Sequence, residues 1–82
     1  TNLRLTAQQG NKRRLDWMLA DLRNTSIIEQ SFEYSTVFKR VASVAPGILS
    51  WIDSKPRQKV TTYRIKDCKE SCSAWSEVTY LP

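Results

Sequence analysis

The stretch ILSWIDSKPRQKVTTYRIK, residues 48–66, decides the fold predicted from this sequence. Its two flanking segments, 48–54 and 60–66, are rich in β-branched and aromatic residues, which are typical of strands. The polar connection between them, residues 55–59, carries three basic residues and no acidic residue. We therefore predict a β-hairpin with a basic loop, in which Tyr63 and Ile65 share one face of the second strand.

Before this hairpin, the apolar spacing indicates three helices. The first is predicted to end near residue 24 and to begin at the capping-box spacing of residues 6–9. Its apolar residues recur at the i, i+3, i+4, i+7 spacing of one helix face, and they are Leu15, Met18, Leu19 and Leu22. A second capping box at 26–29 predicts a short helix with an apolar face formed by Ile27, Ile28 and Phe32.

The third helix is predicted to begin at Ser35 or Thr36 and to end at the Pro46-Gly47 pair. Its inner face is expected to consist of Val37, Phe38, Val41, Val44 and Ala45.

The two ends of the chain are less regular. The opening residues 1–5 fit a short edge strand or an apolar segment leading into the first helix. Residues 67–70 have capping spacing, which predicts a last short helix over 68–75. The final residues, 77–81, fit a strand or a packed tail.

Three helices followed by a hairpin resemble the winged helix-turn-helix family. Two segments carry the resemblance. YSTVFKRV (34–41) is similar to the start of a recognition helix, and GILSWIDSKPRQKVTTYRI (47–65) is similar to the strands and loop of a wing. The resemblance covers residues 6–66 and implies an α+β fold, a three-helix winged helix-turn-helix with a C-terminal β-hairpin wing. Residues 1–82 are then a single domain, with 67–82 as a short extra C-terminal segment.

The composition narrows the possible functions. The 82 residues are enough for one domain, and no apolar run approaches the ~20 residues of a membrane span. Two cysteines without histidine cannot complete a structural zinc site or supply a histidine-dependent catalytic triad, and two glycines cannot form a glycine-rich phosphate loop. We therefore expect no enzymatic activity and no metal or other cofactor.

The net charge of +5 favours an anionic partner. Eight of the thirteen basic residues lie in three short groups that contain no acidic residue. The resemblance implies that the third helix reads a DNA groove through Ser35, Thr36, Lys39, Arg40 and Ser43. It also implies that the wing holds the DNA backbone with Lys55, Arg57, Gln58 and Lys59. Additional backbone contacts are predicted for Lys12, Arg13 and Arg14.

The resulting prediction is a sequence-preferring, double-stranded DNA-binding protein that regulates transcription or replication. The alternative is a winged-helix protein-interaction module that uses an apolar surface around Trp17 or the tail from Trp75 onward. A third possibility is a single-strand binder that stacks bases on tryptophan. A homodimer is also possible. Cys68 and Cys72, four residues apart, are predicted to be reduced thiols, which indicates an intracellular location in the cytoplasm, nucleoid or nucleus.

Overall fold

A computed structural model describes residues 2–19 and 21–82, and the described residues form seven strands and no helix. The strands are β1 (Arg4–Gln8), β2 (Lys12–Asp16), β3 (Thr25–Phe32), β4 (Lys39–Val44), β5 (Ser50–Asp53), β6 (Thr61–Cys68) and β7 (Ser76–Tyr80). They form a three-stranded sheet of order β1-β2-β5 and a four-stranded sheet of order β4-β3-β6-β7. All neighbouring strands are antiparallel.

Side chains from both sheets meet in one hydrophobic core, so the architecture is a β-sandwich. The fully or nearly fully buried apolar residues are Leu15, Trp17, Ile28, Val44, Tyr63 and Ile65. On one side of the sandwich β1 contacts β7. The other side is bordered by β5 and β4, each of which is an edge strand of its sheet.

The predicted α+β winged helix-turn-helix is therefore wrong, and the first helix shows why. In β2 and just after it, Arg13, Leu15 and Trp17 are buried, which is the period-two alternation of a strand. Met18 and Leu22, which the helical spacing placed inside, are 63% and 60% exposed. The charge of the buried Arg13 concealed the strand alternation, and the two exposed apolar residues, Met18 and Leu22, produced a helical spacing.

The second and third predicted helices are also strands. In β3 the face of the buried Ile28 also carries Ser26 and Gln30, and these polar residues conceal the alternation. In β4 the pairing with β3 is irregular, because Ile28 is opposite Ala42 and the next residue of β3 is opposite Arg40. Such a bulge breaks the period of two and makes a short strand hard to recognise.

The predicted hairpin over 48–66 is half correct. Both segments contain strands, and Tyr63 and Ile65 share the buried face as predicted. The two strands do not pair with each other, however. β5 pairs with β2, and β6 lies between β3 and β7. The connection over 54–60 therefore crosses between the sheets, because β5 belongs to the three-stranded sheet and β6 to the four-stranded sheet.

At each chain end a strand was one of two alternatives, and the structure has β1 and β7 there. The helix predicted over 68–75 and the reduced thiols are wrong, because Cys68 and Cys72 form a disulfide. A turn after β6 places the two residues in an antiparallel bridge with their Cα atoms 4.1 Å apart. The backbone amide of Ser73 then donates to the carbonyl of Asp67 at 2.8 Å.

A half-buried arginine joins the strands of the larger sheet. Arg64 in β6 forms an ion pair with Glu29 in β3, with 2.6 Å between the Arg64 Nη2 and Glu29 Oε1 atoms. Its guanidinium carbon also lies 3.9 Å from the centre of the Phe38 ring and 4.0 Å from that of Trp75. These contacts link residues from both edges of the sheet to its central strands. No described segment forms a helix long and apolar enough to cross a membrane.

Candidate binding cleft

A cleft of about 480 Å³ opens on the side of the sandwich bordered by β4 and β5. Residues 30–32 at the end of β3 form one wall. Ser35, Val37 and Lys39 contribute from the β3–β4 connection and the start of β4. The opposite wall consists of Asp53 at the end of β5 and residues 55–57. The volume lies within the ~300–1,000 Å³ typical of ligand sites.

The cleft is basic. Lys39, Lys55 and Arg57 line it, and Asp53 is the single acidic residue among its lining residues. The carboxylate of Asp53 accepts a hydrogen bond of 2.6 Å from the hydroxyl of Tyr63, which in turn accepts one from Arg13. Because the charge of Asp53 is already engaged by this chain of donors, the three cations dominate the electrostatics of the cleft.

A buried arginine holds the β5–β6 connection in place. The guanidinium of Arg13 is 2% exposed and donates to the hydroxyls of Thr61 at 3.0 Å and Tyr63 at 3.3 Å. It also donates to the backbone carbonyl of Arg57 and lies 3.6 Å from the centre of the Tyr80 ring. The loop that carries two of the three cleft cations is therefore attached to the core by a charged donor. Such hydrogen bonds are stronger than neutral ones.

The network around Arg13 also affects the ionisation of Tyr63. Burial, followed by the hydrogen bond to Asp53, raises the pKa of the Tyr63 phenol above its ordinary value of 10.0. The phenol therefore remains a donor to Asp53 at neutral pH. This keeps the network intact at the base of the cleft.

The hydroxyl of Ser31 is without a hydrogen-bond partner in the described part of the chain. Ser31 lines the cleft and is 3% exposed. Leaving a buried polar group unsatisfied costs about 1–3 kcal/mol, and such groups in a native structure require an explanation. Ser31 is opposite Thr62 in β6, so its side chain lies on the face of the sheet that carries Glu29 and Arg64 and not on the face of Gln30 and Lys39.

A strained turn forms the rim of the cleft. The backbone amide of Ser35 donates to the carbonyl of Phe32 at 3.0 Å, and the two central residues, Glu33 and Tyr34, have φ angles of 53° and 60°. Positive φ at both central positions defines a type I′ turn, which favours Asn-Gly. Here the turn is built from two residues that adopt this conformation at a cost. It leaves the ring of Tyr34 68% exposed.

The structure brings together four of the residues predicted to bind DNA. Ser35 and Lys39 from the presumed recognition helix meet Lys55 and Arg57 from the presumed wing around the cleft. The remaining predicted residues of those two groups are exposed but lie outside the cleft lining: Thr36, Arg40, Ser43, Gln58 and Lys59.

The third basic group does not join this surface. Lys12 is exposed, Arg13 is buried in the core, and Arg14 forms an ion pair with Asp16 at 2.9 Å. Consecutive residues of a strand point to opposite faces, so a run of three basic residues in β2 cannot form one basic patch.

The positions of Tyr34, Val37 and Asp53 at the cleft and its rim were not predicted from the sequence. Tyr34 lies in a short polar segment, residues 33–36, which is the pattern of an exposed turn. Val37 was assigned to a helix core, but it is 68% exposed at the cleft.

The three tryptophans have structural contacts. Trp17 is 3% exposed, and its indole nitrogen donates to the hydroxyl of Ser26 at 3.1 Å. Trp51 packs edge-on against Tyr63. Trp75 is half-buried and lies under the cation of Lys66 at 4.6 Å as well as that of Arg64.

No known protein family matches this sequence, and no curated protein is significantly similar to it. Within residues 2–19 and 21–82, no group of three or more acidic or cysteine side chains is arranged to hold a metal ion. The cleft is thus the feature of the described structure from which a function can be argued.

Proposed function

We propose that this chain is a non-enzymatic protein-interaction module that binds a protein partner at the cleft and its rim. The observation that carries the proposal is an exposed apolar side chain, Val37, in the lining of a cleft that contains three cations. A second exposed side chain, Tyr34, lies in the turn between the lining residues Phe32 and Ser35. Each of the two is 68% exposed. Tyrosine and arginine are enriched at protein interfaces, and tyrosine frequently contributes much of the binding energy.

The architecture is compatible with this proposal by analogy. Immunoglobulin, fibronectin type III and many other cell-surface domains are also two-sheet antiparallel sandwiches. Fold alone does not determine function, so the argument rests on the cleft. The disulfide between Cys68 and Cys72 supports an oxidising environment, where such bonds persist. We propose that location in place of the intracellular one, whose basis was a pair of reduced thiols.

Binding of double-stranded DNA stays a prediction, but the recognition helix on which it was based is absent from the described residues. The described residues provide no helix for a major groove, and the basic groups do not form one continuous face. If duplex DNA did bind across roughly five or six phosphates, log K would fall against log salt with a slope of about −4.5 to −5.5. The single-strand and homodimer alternatives likewise stay untested predictions.

The proposal is tested by selecting short peptides from a phage-displayed random library on the immobilised protein. The enriched peptides are then measured against single variants by surface plasmon resonance. Tyr34→Asn removes the exposed ring and places a residue there that tolerates positive φ, so the turn is preserved. We expect this variant and Val37→Ser each to weaken binding about tenfold or more, since truncation of an interface hot spot costs about 2 kcal/mol.

Met18→Ala and Leu81→Ala are the matched controls, because these apolar residues are 63% and 66% exposed but lie outside the cleft lining. They are expected to leave binding unchanged. A library that yields no enriched peptide, or peptides whose binding responds to the controls and not to the cleft variants, would contradict the proposed function.

A further inference from the structure

We infer that the cleft binds an acidic peptide segment, with an aspartate or glutamate carboxylate held between the cations of Lys39, Lys55 and Arg57. This inference rests on the proposed function and names the chemistry of the partner. The three cations come from separate parts of the chain, one at the start of β4 and two in the β5–β6 connection. Cations from two separate segments of the chain therefore line the same cleft.

These cations are available to a ligand. In the described part of the chain, none of the three belongs to an ion pair. The guanidinium of Arg57 lies 5.2 Å from the centre of the Phe32 ring, which stabilises its position without neutralising its charge. Neighbouring like charges repel each other, and a bound carboxylate relieves that repulsion while its own charge is compensated.

The acidic groups near the cleft leave the balance positive. Asp53 is already an acceptor for Tyr63, whose hydroxyl is linked to the buried cation of Arg13. Glu33 is exposed in the rim turn and is absent from the cleft lining. An acidic ligand is therefore attracted to the cleft, and a basic ligand is repelled from it.

The site is preorganised on the side that carries Arg57. The bond from Arg13 to the carbonyl of Arg57 fixes the backbone of the loop, and the ring of Pro56 restricts its φ angle. On the other side, the amide of Glu33 donates to the carbonyl of Val60 at 2.9 Å, which ties the rim turn to the same loop. A loop that is already ordered loses less entropy when it binds.

The rim favours a peptide over a nucleic-acid phosphate as the source of the anion. Tyr34 and Val37 provide apolar area next to the cations. An acidic residue with an apolar or aromatic neighbour matches both features. A phosphate backbone would match the cations alone, and duplex DNA is the alternative that the experiment evaluates.

The experiment compares capped short peptides that contain a central glutamate with a leucine or tyrosine neighbour, and the same peptides with glutamine in place of glutamate. Affinity is measured by fluorescence anisotropy with the whole chain. We expect the glutamine peptides to bind about tenfold more weakly, which corresponds to about 1.4 kcal/mol. Lys55→Ala and Arg57→Ala should reduce this preference for glutamate, and Arg57→Ala retains the backbone carbonyl that Arg13 binds.

Lys69→Ala is the charge-matched control, because Lys69 is exposed in the turn after β6 and outside the cleft. It should behave as the unmodified protein does. Each variant is first checked by thermal unfolding, so that a loss of binding is not confused with a loss of structure.

Equal affinity for glutamate and glutamine peptides would overturn this inference. Tighter binding of random duplex DNA than of any peptide, with a steep salt dependence, would overturn it as well. The proposed function fails separately. If neutral peptides are selected from the library and depend on Tyr34 and Val37, the interaction module stands and the acidic ligand is wrong.

Discussion

Tyr63→Phe tests the hydrogen-bond network at the base of the cleft without creating a cavity. The tyrosine hydroxyl donates to Asp53 at 2.6 Å and accepts from Arg13 at 3.3 Å, and the phenylalanine ring keeps the edge-on contact with Trp51. Hydrogen bonds to charged groups contribute about 1.5–3 kcal/mol each. In the variant, Arg13 loses only a long hydrogen bond and keeps its other acceptors. The half-buried carboxylate of Asp53 loses its donor but gains access to water. We therefore expect a loss close to that of one such bond, about 2 kcal/mol.

The loss is measured by urea unfolding monitored through tryptophan fluorescence, since Trp17 and Trp51 both lie in or against the core. The urea midpoint should fall while the slope m is unchanged, because the surface exposed on unfolding remains the same. For a domain of this size about 2 kcal/mol lowers Tm by roughly 8–16 °C. Tyr34→Phe is the matched control, because the side chain is exposed, and its midpoint should equal that of the unmodified protein.

The same pair of proteins gives a pH test with a definite sign. Burial and the hydrogen bond to Asp53 raise the pKa of Tyr63 above the ordinary 10.0, so the folded state holds this proton more tightly than the unfolded state. The resulting stabilisation is fully present below pH 10 and is lost as the pH rises above it. The difference in unfolding free energy between unmodified protein and Tyr63→Phe should therefore narrow above pH 10.

An unchanged midpoint in Tyr63→Phe at neutral pH would refute the energetic role assigned to this network. A difference that stays constant from neutral pH to well above pH 10 would refute the raised pKa.

Three further predictions concern the rest of the molecule. Replacing Cys68 and Cys72 by serine should lower the free energy of unfolding by about 2 kcal/mol, which is small for a disulfide because the closed loop is short. Urea unfolding with and without reductant measures the effect, and the double variant should not respond to reductant. Arg64→Met should lower the free energy of unfolding by about 1–3 kcal/mol, because it removes a half-buried ion pair and two ring contacts. Thermal unfolding in a double-mutant cycle with Glu29→Gln isolates the contribution of the ion pair. Converting Glu33-Tyr34 to Asn-Gly should raise stability by about 1 kcal/mol, because the favoured type I′ pair relieves the positive φ angles. It should also weaken peptide binding about tenfold or more, as Tyr34→Asn does, because it deletes the exposed ring. Urea unfolding and surface plasmon resonance check both effects, and a variant that is less stable, or that binds as before, contradicts the role given to this turn.

Part of the fold was predictable from local residue preference. The β-branched and aromatic content of residues 48–66 indicated strands, and β5 and β6 lie there. For residues 77–81 the sequence left a strand and a packed tail as alternatives, and β7 lies at 76–80. What failed was the step from segments to pairing, since β5 and β6 belong to different sheets. The hairpin prediction assumed that neighbouring strands pair, and nothing local in a short polar connection shows that it crosses between sheets.

The candidate site shows the same division. Basic residues at 39, 55 and 57 were predicted to form a binding surface, and the structure places them around one cleft. The grouping with residues 12–14 failed, because Arg13 faces the core and its neighbours face away from it. The strand period decides this, and the helical interpretation of residues 6–24 concealed it.

The sequence by itself determined the charge of +5, the lack of histidine chemistry and the strand-forming character of the second half of the chain. These properties depend on residue type and on near neighbours. Only the tertiary structure decided which residues are inside. A buried Arg13 is stable only where acceptors surround it, and these come from another sheet and a distant loop. They are the hydroxyls of Thr61 and Tyr63 and the carbonyl of Arg57. The cleft has the same origin, since Lys39 from one sheet and Lys55 and Arg57 from the loop between the sheets are brought together by the packing of the two sheets.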